Sequence, residues 1–384
     1  MNDPQRILVI KSRHIGDVLL TGPLLTALKR GHPTAQVSLL VKKECATLME
    51  GHPDVAEVLT FPERIKEDGT FARLWRMALW VIRLRQRRFD WVINTTEGDR
   101  GIIAAFLSGA ERRSSLWRPG GKAWRRWLLT EVISNRPGRR HTVLRNVDLL
   151  GGESEQEPHA VRLLATYPDW LQVEQRLLEQ GWDRLRPLVQ VHPPSRWLFK
   201  CWTVAGMAGV IDHLADCGCQ VVLTSGPSEV EQQRNQAIID LCRQKPINVS
   251  GLLNLPQTAA LTAHCILFFG VDTAPAHMAA ALNVPVVVLF GPSGAFDWGP
   301  WPNGWQGGAT PYPAQNGIQS AGPHWVIQKE WPCAPCGRDG CEGSKKSRCL
   351  DEMSLQEVIA VLQRVPALAS LVGAANRQEE PPAP

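Results

Sequence analysis

Residues 268–291 read FFGVDTAPAHMAAALNVPVVVLFG, and the fold class follows from this stretch. Ile266-Leu267-Phe268-Phe269 is a short apolar run, as expected of a strand buried on both faces. Asp272 and Thr273 follow, and either suits a helix cap. Pro275 falls in the first turn, where a missing N–H costs little. Ala276 to Leu282 is rich in strong helix formers. Asn283 ends the helix, and Pro285 to Phe290 reads as a second buried strand. The result is a β-α-β unit with a helix N-terminus at the end of a parallel strand. Free backbone N–H groups and the helix dipole make that point an anion site, with a nucleotide phosphate as the expected guest. A capped helix that binds nothing fits the same letters.

The same alternation extends in both directions. Strands are expected at Arg6–Ile10, Gln36–Val41, Val55–Phe61 and Phe89–Asn94, with an Arg-rich helix over 71–88 and helices over 102–108 and 141–150. Ile15-Gly16-Asp17 reads as a turn, and a Gly- and Arg-rich loop is expected after Ser108. A helix over 168–181 precedes a linker near Gly181–Pro187. A second series then runs through strands at Leu188–His192 and Gln220–Thr224 and helices over 204–217, 229–243 and 257–263. Residues 291–331, rich in Gly, Pro and Trp, read as mostly loop, and Leu355–Val365 as a final amphipathic helix. The expected domains are therefore 1–182 and 183–350, then a C-terminal helix over 351–370 and a disordered tail over 371–384. Two α/β series imply two facing Rossmann-like domains with a cleft between them. Ligands of such sheets sit at the carboxyl ends of strands. The absence of GxGxxG after the first strand weighs against a dinucleotide-dependent oxidoreductase.

Length and composition agree. A chain of 384 residues is long for one domain, and 44% hydrophobic with 21% charged residues is ordinary for a globular protein. No apolar run approaches the roughly 18 residues needed to cross a bilayer. The N-terminus enters a strand directly, and ten cysteines are scattered rather than paired. The cytoplasm is the expected compartment. The net charge is only +5, yet residues 72–145 hold seventeen Lys/Arg against five Asp/Glu, interleaved with Trp75, Trp80, Trp91, Trp117, Trp124 and Trp127. That composition suits an anionic surface, whether membrane lipid, phosphorylated glycan or nucleic acid, or else a solvated basic face over core tryptophans. No nucleic-acid-binding signature accompanies it, so no nucleic-acid partner is expected.

Four stretches together resemble glycosyltransferase family 9, the bacterial heptosyltransferases of the lipopolysaccharide inner core. They are ILVIKSRHIGDVLLTGPLLTALKRGHP, VHPPSRWLFKCW, LTSGPSEVEQQ and GVDTAPAHMAAALNVPVVVLFGP, and the likeness spans about residues 5–366. The tail WPCAPCGRDGCEGSKKSRCLDEMSLQEVIAVLQ looks most like that of the heptosyltransferase III members, which add a branch heptose. The resemblance implies the GT-B fold, an inverting transfer and ADP-L-glycero-β-D-manno-heptose as donor, with no cofactor and no catalytic metal. It implies a lipid-linked, phosphorylated inner-core acceptor and a peripheral position on the cytoplasmic face of the inner membrane. The basic, Trp-rich segment then has an anionic partner.

Residue by residue, the resemblance makes Asp17 the general base that takes the acceptor hydroxyl's proton; by type alone Asp17 also suits a helix cap. Lys200 is expected to neutralise the leaving diphosphate, as a metal would elsewhere, with Ser195 and Arg196 in the same loop. Asp272, Thr273, Ala274 and His277 form the other phosphate clamp; Asp272 would repel phosphate and is expected to orient a sugar hydroxyl or Lys200. Glu229, or Glu231 two positions on, is matched to the ribose, and Leu253 or Leu255 to the adenine. Arg13 and His14 are expected near the acceptor. Cys333, Cys336, Cys341 and Cys349, spaced C-x2-C-x4-C-x7-C, offer four thiolates for a structural Zn²⁺ or a plain packed loop. Three other functions fit parts of the pattern: a GT-B transferase using another nucleotide sugar, a non-catalytic nucleotide-binding assembly protein, and a structural protein built on the cysteine module.

Overall fold

A computed structural model describes residues 3–63, 65, 69–96, 98–117, 122–134, 138–151 and 159–371. The chain divides into two compact units, Met1–Leu163 and Leu164–Pro384. The first holds a six-stranded sheet made of β1 (Arg6–Ile10), β2 (Gln36–Val41), β3 (Glu57–Thr60), β4 (Trp91–Asn94), β5 (Arg112–Trp117) and β6 (Glu131–Ser134). All its pairings are parallel, in the order β3-β2-β1-β4-β5-β6. The second sheet contains β7 (Leu188–His192), β8 (Gln220–Leu223), β9 (Ile247–Asn248), β10 (Cys265–Val271), β11 (Val286–Phe290), β12 (Gly317–Ala321) and β13 (His324–Gln328). Its order is β12-β13-β11-β10-β7-β8-β9, parallel except for the β12–β13 hairpin. Each unit thus carries the doubly wound Rossmann order, with a reversal between β1 and β4 in one and between β7 and β10 in the other. These are the two domain types of the GT-B class.

The opening stretch folds as read. Phe268 packs with Ala276, Ala279 and Val288 on one face of β10, while Phe269 packs with Trp202 and Met207 on the other. Gly270 is needed between them, because a Cβ there would lie 2.6 Å from the His192 carbonyl oxygen on β7. Helix Ala274–Ala281 ends with Asn283 at φ 59°, and the Val284 N–H returns to the Ala279 carbonyl at 3.0 Å. This left-handed exit reverses the chain into β11.

Three expectations are corrected. Residues 109–140 are not all loop, since they supply β5 and β6. The sequence RRSSLW hid β5 because its buried positions are serines. Ser114 accepts from Trp91 Nε1 at 2.8 Å and donates to Glu131, and Ser115 accepts from Asn94 at 3.0 Å. Residues 291–331 likewise contain the β12–β13 hairpin, turned at Gly322 with φ 55°. The domain boundary falls after Leu163 rather than near residue 182. Helix Tyr167–Glu179 belongs to the second unit because Trp170, Val173 and Leu177 pack on Leu188, Val222 and Leu261. Helix Leu355–Leu362 closes that unit's core through Val358, Val361 and Leu362. The expected tail lies, from residue 372 on, outside the described residues.

Candidate active site

In the first unit the strand-order reversal carries Asp17. β1 ends at Ile10, and Lys11 begins the loop beyond it. Lys11 is buried; its Nζ donates to the Thr95 carbonyl at 3.2 Å and lies 3.5 Å from Asp17 Oδ1. Asp17 is the third residue of helix Ile15–Leu19, and His14 holds the N-cap position. The expected turn is therefore the first turn of a helix, and Asp17 does not cap it. Lys11 fixes its carboxylate instead. The neighbouring strand end is tied in as well: Thr96 Oγ1 accepts the Ser12 N–H at 2.9 Å, and Asn94 Nδ2 donates to the Thr96 carbonyl at 2.7 Å. Arg13 and His14 stand exposed on this loop.

In the second unit the loops beyond β7 and β10 meet. Lys200 Nζ donates to Asp272 Oδ2 at 2.6 Å. Burial of Asp272 would raise its pKa. The Lys200 charge and hydrogen bond, the Ser293 hydroxyl and His277 outweigh burial and hold the carboxyl below its ordinary value. Asp272 is thus the anion that aims Lys200, one of the two roles expected of it. Lys200 stays partly exposed, and an ammonium with three donors keeps two for a ligand. Gln328, at the end of β13, donates to the carbonyls of Gly291 at 2.7 Å and Ser293 at 2.9 Å, which fixes the loop presenting Ser293.

Ser195 is buried in a loop held by Cys201. The Ser195 N–H donates to Cys201 Sγ at 3.2 Å, the thiol points at the carbonyls of Ser195 and Trp197, and Ser195 Oγ accepts the Trp197 N–H at 3.2 Å. Arg196 is exposed, 5.5 Å above the Trp197 ring. Thr273 takes the N-cap position, but its hydroxyl donates to the Val271 carbonyl at 3.1 Å. That hydrogen is therefore engaged. Pro275 has no N–H, and the Ala276 N–H goes to Thr273 at 3.1 Å, which leaves the Thr273 and Ala274 N–H groups as the donors at this helix start. His277 is buried on the same helix.

Other expected residues sort by their contacts. Glu231 is engaged by the Gly226 N–H at 2.8 Å, whereas Glu229 is exposed and its carboxylate accepts from the Gln233 side chain at 3.0 Å. Glu229 is the better placed of the two for a ligand. Leu253 packs partly on the core, and Leu255 opens helix Leu255–Ala263. The expected zinc arrangement is not formed: among the described residues no three Cys, His, Asp or Glu side chains are placed to share a metal ion. Cys333 and Cys336 are exposed and Cys349 is buried. Burial, then the nearby thiols of Cys341, Cys336 and Cys333, push Cys349 up to about 11.

Lys11, Ser293 and Gln328 escaped the sequence reading. Lys11 had a signal, a cation closing the strand ILVI six residues before the acid. Ser293 and Gln328 had none, because their roles depend on strand order.

The profile of glycosyltransferase family 9 (heptosyltransferase) matches residues 77–313. Lipopolysaccharide heptosyltransferase 3 of Escherichia coli K12 is 30% identical over 306 residues, covering 75% of this chain and 83% of that one. A glycosyltransferase family 9 structure from Veillonella parvula superposes with a TM-score of 0.76 at 20% identity, covering 95% and 97% of the two chains. The structure of E. coli ADP-heptose lps heptosyltransferase II gives 0.71 at 18% identity, covering 97% and 100%. A profile match over more than half the length, joined to a relative of this likeness, makes the chain a member of glycosyltransferase family 9.

Proposed function

We propose that this protein transfers L-glycero-D-manno-heptose from ADP-heptose to the heptose region of the lipopolysaccharide inner core, as a branch heptose III on heptose II. The observation that carries this reading is the Lys200–Asp272 pair at the strand-order reversal of the second unit, beside the helix beginning at Ala274. A buried carboxylate holds an ammonium where a nucleotide's diphosphate would lie.

In this reading Asp17 takes the proton from the acceptor hydroxyl as its oxygen attacks the anomeric carbon. The bond from that carbon to the phosphate oxygen breaks on the opposite face, which inverts the centre. Lys200, Ser195, Arg196 and the Ala274 N–H take up the charge of the departing ADP, with His277 alongside, so the step needs no catalytic metal. Glu229 meets the ribose, and Arg13 and His14 meet the phosphorylated acceptor. That acceptor is carried on lipid, so the protein works at the cytoplasmic face of the inner membrane as a peripheral protein.

Mass spectrometry of the lipopolysaccharide core from a deletion strain tests the reading. Loss of one branch heptose with the main chain intact is expected. Truncation at the first or second heptose would assign a sibling activity, and an unchanged core would remove the proposal. Competition of purified protein between ADP-heptose and UDP-sugars separates it from transfer of another sugar.

A further inference from the structure

Helix Thr70–Gln86, TFARLWRMALWVIRLRQ, carries two apolar faces, and the core uses only one. On the inner face Trp80 stacks on Phe61 and donates Nε1–H to the Thr60 carbonyl at 3.0 Å, and Leu84 is buried in the first unit's core. Phe71, Leu74, Trp75, Ala78 and Ile82 recur at i, i+3, i+4, i+7 and i+11, the spacing of a single helical stripe. That stripe faces solvent: Phe71 is 81% exposed, Leu74 65%, Trp75 61% and Ile82 51%. Four arginines and no acidic residue share the 17-residue helix. Beneath its first turns lies a cavity of about 710 Å³, lined in part by Met77, Trp80, Ile103, Arg73, Arg76 and Arg100. Asp99, at the start of the helix across that cavity, binds Arg125 at 2.6 Å. This brings alongside helix Ala123–Trp127, whose Trp127 is 85% exposed.

We propose that helix Thr70–Gln86 lies flat in the surface of an anionic phospholipid bilayer. Phe71, Leu74, Trp75 and Ile82 enter the acyl boundary, and Arg83 and Arg85, exposed in the helix's last turn, meet headgroup phosphates, while Arg73 and Arg76 line the cavity beneath. Among the described residues no helix is long and apolar enough to span a membrane, so the contact is an in-plane one. Charge decides between occupants. A second copy would set the same arginines against each other, whereas an anionic leaflet complements them. A phosphorylated sugar alone would engage the arginines and leave Phe71, Leu74 and Ile82 in water. The inference deepens the reading of a lipid-borne acceptor by naming the element that meets the lipid, and rests on it for the choice of membrane.

Flotation of the full chain with acceptor-free vesicles tests it. The protein is expected to float with phosphatidylcholine vesicles containing phosphatidylglycerol, not with phosphatidylcholine alone, and to be released by salt. A triple variant, Phe71→Ser with Leu74→Ser and Trp75→Ser, is expected to bind about tenfold less or weaker still. Its ADP affinity and unfolding temperature should match the wild type. Wild-type protein that does not float, or a triple variant that floats equally well, overturns the proposal. So does a triple variant that only turns a dimer into a monomer. The vesicles carry no acceptor sugar, so failure here leaves the transferase reading standing, and a failed transfer assay leaves the flotation result standing.

Discussion

Buried Lys11 and half-buried Asp17 form a pair whose two members have different jobs, and substitution separates them. Asp17→Asn keeps the shape and removes the base. Transfer should fall by about 10²- to 10⁴-fold while ADP affinity is kept, read by initial rates and calorimetry. It should also cost about 1–3 kcal/mol in urea unfolding, because the Lys11 ammonium loses its counter-charge while keeping Thr95. The second pair has a pH signature. Asp272 has a folded pKa below its unfolded value, so its contribution to stability is present above about pH 4 and fades as pH falls through the folded value. In Lys200→Met the largest influence left is burial, which raises the carboxyl's pKa, so the charged form becomes a liability at neutral pH. The gap in unfolding free energy between wild type and Lys200→Met should therefore be wider at pH 7 than at pH 5. Both acids were legible as candidates from sequence. Their cations are less so: Lys200 reads as a phosphate ligand, with its hold by Asp272 one of two options, and nothing in the sequence analysis singles out Lys11.

Close approach sets limits at the scale of elements. Helix Asp99–Leu107 lies so near β4 that a Cβ on Gly101 would come within 2.1 Å of Asn94 Oδ1. Asn94 in turn holds Thr96, which holds Ser12 on the Asp17 loop. Gly101→Ala should cost about 1–3 kcal/mol by overpacking and should lower transfer more than it lowers ADP affinity. A thermal melt and a transfer assay together check this. Strands of the form ILVI, QVSLLV and VVVLF were legible because burial on both faces writes itself as continuous apolar letters. β5 was not, because side-chain hydrogen bonds to Trp91, Asn94 and Glu131 let serines fill its interior. That kind of satisfaction depends on neighbours distant in sequence.

At the scale of the molecule, two sheets with their own cores make two foldable bodies, and the boundary between them is testable. A fragment beginning at Leu164 keeps Trp170, Val173 and Leu177 on the face made by Leu188, Val222 and Leu261. It should unfold in one cooperative transition by circular dichroism and bind ADP. A fragment beginning at residue 183 bares that face and should aggregate on size exclusion. The number of domains was legible from alternating patterns, but the ownership of helix Tyr167–Glu179 was not. Its apolar stripe says that it packs, and only strand order says on what.

The thiols divide sharply by setting. Burial pushes Cys45 up to about 12 and Cys219 and Cys242 up to about 11, and Cys349 is raised to a similar level. Cys333 and Cys336 alone are exposed among the ten. Because alkylating reagents attack the thiolate, a maleimide fluorophore at neutral pH should tag that short surface segment first. An unmutated preparation thus already carries an address for a dye, and its emission would report on the last loops of the second unit as substrates come and go.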